Sequence, residues 1–134
     1  MDWLWAFNMV VAAFILGLVA FVHVVHYPLF RRIDAPAWQA YHAEHIHRTT
    51  RIVAPVMLFD AIAAGCWAWL SGSATSWLAL ACVALAWVIT FAGAVPAHHR
   101  LAERFDHALH RRLLRCNRAR LIAWTGRLVM LVVS

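Results

Sequence analysis

Nine histidines are the chemically most telling residues of this 134-residue chain, and all fall in or beside two polar stretches, 31–51 and 97–120. His42 and His45 are three apart, so a helix presents both on one face. His47 lies about 200° from His45 on a helix that turns ~100° per residue, and cannot share that face. His23 and His26 repeat the three-residue spacing at the end of the first apolar run, and His98 follows Pro96 where a later run ends. Three separate segments therefore deliver imidazoles to one layer. Imidazole is a common ligand for Zn, Cu, Fe and Ni and for haem iron. His26, His42, His45 and His98 are the candidate ligands of a transition metal ion (Fe, Cu or Zn) or a haem. Tyr27, Glu44 or Asp60 would be a further ligand or orient one. His47, His99 and His107 are expected at the surface. The H-E-x-x-H pattern is absent, and Cys66, Cys82 and Cys116 have no C-x-x-C spacing. They give no disulfide framework or zinc finger and read as packing residues.

A second set of polar residues lies toward the C-terminus. Asp106, His110, Leu113, Asn117, Arg120, Trp124, Arg127 and Leu131 follow a 4-3-4-3 spacing and form one stripe on a helix. In a membrane helix such a stripe should face protein, because ionisable groups facing lipid are costly. Asp60 is nine residues beyond Arg51, and Arg127 is nine beyond Arg118. If those two arginines mark one membrane face, Asp60 and Arg127 lie at similar depth and are expected to pair. The pair would brace two spans, or take part in catalysis. In a catalytic reading Tyr27 or Asp60 handles protons, while Arg120 and Arg127 bind developing negative charge. Trp124, between two arginines, is expected to wall a pocket, stack on a guanidinium or pack in the core.

The elements that must position these residues are written in the composition. Hydrophobic residues make up 64% and charged residues 13% of the chain, about half the charged share of a soluble domain. A bilayer can use that much apolar surface and a soluble core cannot. The expected architecture is all-α: one integral membrane four-helix bundle over residues 1–134, with spans near 3–30, 52–70, 76–95 and 113–133. An additional short helix is expected in the first polar loop, starting near Pro36. The first run has no basic n-region and is too long for a signal peptide core, so it reads as a retained span. Residues 71–75 form an uncharged turn, and Pro96 ends or kinks span three. The twelve basic residues, giving a net charge of +6, are all arginines. Four lie in 31–51 and seven in 97–120, which puts both loops on the cytoplasmic side and both termini outside, in a bacterial inner membrane. Arginines placed between spans are topology signals, so nucleic acid is not an expected partner. Trp3, Trp5, Trp69 and Trp77 fall at outer span ends, as an interfacial belt requires.

The segments VHYPLF (Val25–Phe30), YHAEHIHR (Tyr41–Arg48), IVAPVML (Ile52–Leu58), VPAHHRL (Val95–Leu101) and NRARLIAWTGR (Asn117–Arg127) together resemble a family of small four-helix bacterial membrane proteins with no assigned activity. The last segment is also similar to the ending of anthrone-oxygenase-like membrane proteins, N-W-x-R-T…W…R, with Arg118 and Leu121 in place of the Trp and Thr. That second resemblance implies oxidation of a hydrophobic aromatic substrate at the membrane, with Asn117, Arg120, Trp124 and Arg127 as pocket residues.

These residues suggest a membrane-embedded, metal- or haem-dependent oxidoreductase acting on a lipophilic quinone-like or aromatic substrate. Its partners would be the bilayer and that small molecule. The alternatives are a non-catalytic metal- or haem-binding membrane protein, a scaffold, and a small proton-coupled transporter, which at four spans would be expected to oligomerise.

Overall fold

The structure, a computed structural model that describes residues 2–134, is helical almost throughout. Helix α1 spans Asp2–Phe21, passes through a π-turn at Val22–His26, and ends in two single turns, Tyr27–Leu29 and Phe30–Arg32. Helix α2 spans Ala35–Ser71, α3 spans Ala74–Ile89, and a second π-turn at Thr90–Ala94 leads into α4, Val95–Leu101. Helix α5 spans His107–Val132.

Two expectations change here. The loop helix and span two are one 37-residue helix, not two elements. Nothing between Arg51 and Ile52 breaks a helix, and Pro55 is carried within it. Proline sites elsewhere behave differently. Pro28 and Pro96 each follow a π-turn closely, with the Tyr27 N–H reaching back to Val22 O and the Val95 N–H to Thr90 O. A proline lacks the N–H for its own i−4 bond, and its ring crowds that carbonyl. The wider turn makes room while the helix continues, so Pro96 neither ends nor sharply breaks its run.

Caps fix the remaining ends. Gly72, at φ +63°, ends α2 in the left-handed region that a side chain would strain. The Ser73 hydroxyl accepts from the Ser76 N–H and starts α3. The Asp106 carboxylate accepts from the Leu109 N–H at 2.8 Å and starts α5.

Helix α1 packs against α2 and α5, and α3 packs against the same two, so four long helices close a ring. The α3–α5 seam is tight because small residues face cysteines in both directions. A Cβ built on Gly93 would stand 2.7 Å from Cys116 Sγ, and one on Gly126 would stand 3.2 Å from Cys82 Sγ. Close approach of small residues is how helices associate in lipid.

Among the described residues, three helical runs are long and apolar enough to cross a membrane: Trp3–Arg32, Ala35–Ser71 and Ala74–Leu101. Large apolar side chains stand exposed along them, such as Phe14, Phe21, Leu58, Phe59, Trp69 and Val88. Helix α5 is not among the three because six arginines interrupt it. Its inner face is the stripe read from the sequence: His110, Leu113, Asn117, Arg120, Trp124, Arg127 and Leu131 are all buried.

Candidate functional site

The two π-turns stand at the same end of the ring, one before Tyr27 and one before α4, and the long α2 rises past both. His26 leaves the first π-turn, His42 and His45 leave one face of α2, and His98 leaves α4. The structure brings all four together. His26 Nε2 is 2.6 Å from His45 Nδ1, and His42 Nε2 is 3.1 Å from His98 Nδ1. The His45 and His98 ring centroids are 5.5 Å apart. The Tyr27 hydroxyl lies 3.0 Å from His98 Nε2, so both nitrogens of His98 are engaged. A neutral imidazole has one N–H and one lone pair. If Tyr27 donates to His98 Nε2, then His98 Nδ1–H must donate to His42. In the other tautomer His42 donates to His98, which donates to the phenol oxygen. The two arrangements differ in which ring nitrogen of His98 and of His42 carries the proton and in where the Tyr27 hydroxyl points.

The cluster is braced from below. Phe30 packs edge-on to His45, with centroids 4.9 Å apart, and is fully buried beside Trp38 and Leu101. The Trp38 indole N–H donates to Leu101 O at 2.6 Å, tying the start of α2 to the end of α4. His110 Nε2–H donates to Tyr27 O at 2.7 Å, which holds the turn carrying Tyr27 against α5. His23 stays apart from the group, half-buried, and His47, His99 and His107 are exposed.

An apolar cavity of about 620 Å³ opens beside this cluster. Val19, Met57, Trp87 and Thr90 are among its walls, and Tyr27, His42, His45, His98, Asn117 and Arg120 line its polar parts. Exposed Thr50, Ala54 and Phe91 border it, so it reaches the molecular surface between α2 and the α3–α4 run. The size and the apolar wall with a few convergent polar groups are those of a small-molecule site.

Asp60 and Arg127 do meet. The Arg127 Nε–H donates to Asp60 Oδ1 at 2.8 Å, and its NH2 lies 2.7 Å from the same oxygen. The Trp124 indole N–H donates to Asp60 Oδ2 at 3.2 Å, and Arg127 also donates to Asn8 Oδ1 at 2.9 Å. Both charged side chains are fully buried and neither borders the cavity; nor does Trp124. The group clamps α1, α2 and α5 together. Asn8 was not among the residues expected to matter, although it is the one polar side chain between Asp2 and His23. That isolation was the available signal.

Arg120 behaves differently. It is 6% exposed, lines the cavity, and stacks over Trp124 with its guanidinium carbon 5.1 Å from the ring centre. Its NH1 donates to Asn117 Oδ1 at 3.3 Å, while the Asn117 amide donates to Val19 O at 3.1 Å. Of the four pocket residues implied by the resemblance, Asn117 and Arg120 line the cavity, while Trp124 and Arg127 lie beneath it.

The nitrogen spacings distinguish the two cofactor types. Adjacent ligands of one ion with metal–nitrogen bonds of about 2.0–2.1 Å stand about 3.0–3.4 Å apart. The His42–His98 pair meets that spacing at 3.1 Å. An iron held between two imidazoles needs about 4 Å between their nitrogens, twice that bond length, and both histidine pairs here are closer. The spacing suits an ion better than a haem. Among the described residues no three His, Cys, Asp or Glu side chains are arranged to hold a metal ion, so the offer is a pair of imidazoles. Compared with known proteins, the chain matches no family model, no curated protein and no solved structure. The functional reading therefore rests on the site itself.

Proposed function

We propose that this protein is a membrane-embedded oxidoreductase that admits a lipophilic, quinone-like or aromatic substrate from the bilayer into the cavity and exchanges protons with its polar head. The observation that carries this reading is one apolar cavity, open between α2 and α3, that borders the hydrogen-bonded Tyr27–His98–His42 chain. Reduction of a quinone adds protons as well as electrons, and a chain with two interconvertible tautomers delivers a proton without exposing the site to water. Tyr27 is the group that hands the proton over, His98 resupplies it, and His42 links the chain to the cluster. Asn117 and Arg120 hold the substrate's oxygen and its developing charge. A transition metal ion, held by His42 and His98 in place of their mutual hydrogen bond, would supply one-electron chemistry when bound, with Tyr27 and His98 keeping the proton contact.

The same reading makes the molecule a four-span bundle of the bacterial inner membrane, with the histidine cluster on the cytoplasmic side and both termini outside. Support comes from the second half of α5, which exposes Ile122, Val129 and Val132 while burying Arg120 and Arg127, the reverse of a helix in water, whereas the first half exposes Arg111, Arg112, Arg115 and Arg118.

The test is elemental analysis of the purified protein together with reduction of a short-chain quinone by an added chemical electron donor, followed by absorbance. Iron or copper should co-purify and be lost in His42→Ala with His98→Ala; zinc has no one-electron chemistry and would not serve. Protein that carries neither iron nor copper and neither binds nor turns over the quinone would sink the proposal.

A further inference from the structure

The buried charges of this bundle do not cancel. Among the described residues Asp60 is the single buried acid, and Arg127 already neutralises it. Arg120 is the second buried arginine and, among the described residues, has no carboxylate partner. Its polar contacts are Asn117 Oδ1 at 3.3 Å and the Met57 thioether at 3.9 Å, and its Nε–H meets no acceptor. A guanidinium has five N–H groups and is rarely buried without an anion, because losing water without a counter-charge is costly. A neutral amide and a sulfur do not supply that charge. The side chain is instead held on the cavity wall, fixed by Asn117 and by stacking on Trp124. The Trp87 indole N–H, from a second residue of the same wall, is also buried without an acceptor. The cavity thus offers one positive charge, spare donors and an apolar body.

We propose that the cavity's ligand is a lipophilic monoanion of the acidic phenol or hydroxyquinone class, bound through its oxyanion to Arg120. This rests on the oxidoreductase reading above and narrows its substrate. The ring and tail lie among Val19, Met57 and Thr90, the oxyanion completes the charge of Arg120, and a ring carbonyl meets the remaining donors. A neutral quinone fits the same walls but leaves the guanidinium unbalanced.

The test uses the full chain in a zwitterionic detergent and reads quenching of tryptophan fluorescence. The probes are a 2-hydroxy-3-alkyl-1,4-naphthoquinone, its 2-methyl ether and the quinone lacking the hydroxyl, at a pH where the first is ionised. The hydroxyquinone should bind at least tenfold more tightly than the other two. Arg120→Gln should erase that preference, the larger loss falling on the hydroxyquinone, and Arg120→Lys should keep it. Equal affinity for all three probes overturns the inference while leaving a lipophile-binding oxidoreductase standing. Absence of binding by every probe removes both. Should Arg120→Gln fail to fold, the comparison of hydroxyquinone with ether on the unaltered protein still decides.

Discussion

A guanidinium sealed inside a bundle is stable only where its charge is met, and Arg127 and Arg120 stand at opposite ends of that requirement, although each keeps one buried nitrogen without an acceptor. Arg127 has Asp60 and Asn8; Arg120 has an amide and a thioether. Removing one partner of a buried pair strands the other charge, so Asp60→Ala should cost about 3–5 kcal/mol. The double variant Asp60→Leu with Arg127→Met should recover most of that loss. Urea unfolding in detergent would show it, and unchanged stability of Asp60→Ala would mean the pair is not what holds α2 to α5. Arg120→Met, by contrast, strands no carboxylate and should leave ligand-free stability unchanged or raised. In the proposed mechanism, Tyr27→Phe removes the hydroxyl from His98 and leaves its Nε2 without a partner. Loss of a proton-transfer group typically costs about 10²–10⁴-fold in rate, so quinone turnover should fall on that scale while the quinone still binds. Turnover within twofold of the parent would remove Tyr27 from the mechanism. The Asp60–Arg127 pairing was readable from two matching nine-residue offsets, because depth in a bilayer is nearly linear in helix position. Asn8 was not, since a carboxamide partner depends on which helices become neighbours.

Prolines, glycines and caps decide how the helices present these groups. Each of the two π-turns widens its helix just before a proline and thereby turns the following residues onto a new face. Tyr27 and His98 both lie just beyond such a turn, so the register of the site depends on Pro28 and Pro96. The α3–α5 seam is equally exacting: Gly93→Ala would drive a methyl into Cys116 Sγ. Overpacking of this kind typically costs about 1–3 kcal/mol. Thermal unfolding should show the loss, and Cys116→Ala in the same chain should restore stability by opening the space. If the second substitution rescues nothing, the seam is looser than the contact indicates. The cap of α5 adds a pH dependence. Accepting the Leu109 N–H holds the Asp106 carboxyl below its ordinary value. A lowered folded-state value means the cap stabilises above the ordinary carboxylate range and fades as pH falls through that lowered value. Asp106→Asn keeps an acceptor without a titrating proton, so its stability should not show that acid-side loss. Matching acid-side losses in the parent and Asp106→Asn would assign the effect elsewhere.

At the scale of the molecule, four long helices enclose their polar residues and turn apolar ones outward, with most arginines at the end that carries the histidines. The proposed orientation predicts that a phosphatase active only outside the cytoplasm, fused after Ser134, is active in cells. The same enzyme inserted in 102–106 should be silent. The reverse pattern would invert the topology and place the histidine cluster outside. Much of this was fixed by composition and periodicity. Apolar run length, arginine bias and the 4-3-4-3 stripe are local properties of the chain, and each follows from helix geometry and the cost of charge in lipid. So is the three-residue histidine spacing, which put His42 and His45 on one face before any fold was known. Only the tertiary structure decided the rest. It fused the loop helix with span two, paired His42 with His98 and His26 with His45, and set Asp60 and Arg127 below the cavity instead of in its wall. It also left Arg120 without a counter-charge. Those outcomes depend on distances between segments far apart in sequence. Such distances are set by how side chains interlock across helices, and no spacing within a single helix encodes them.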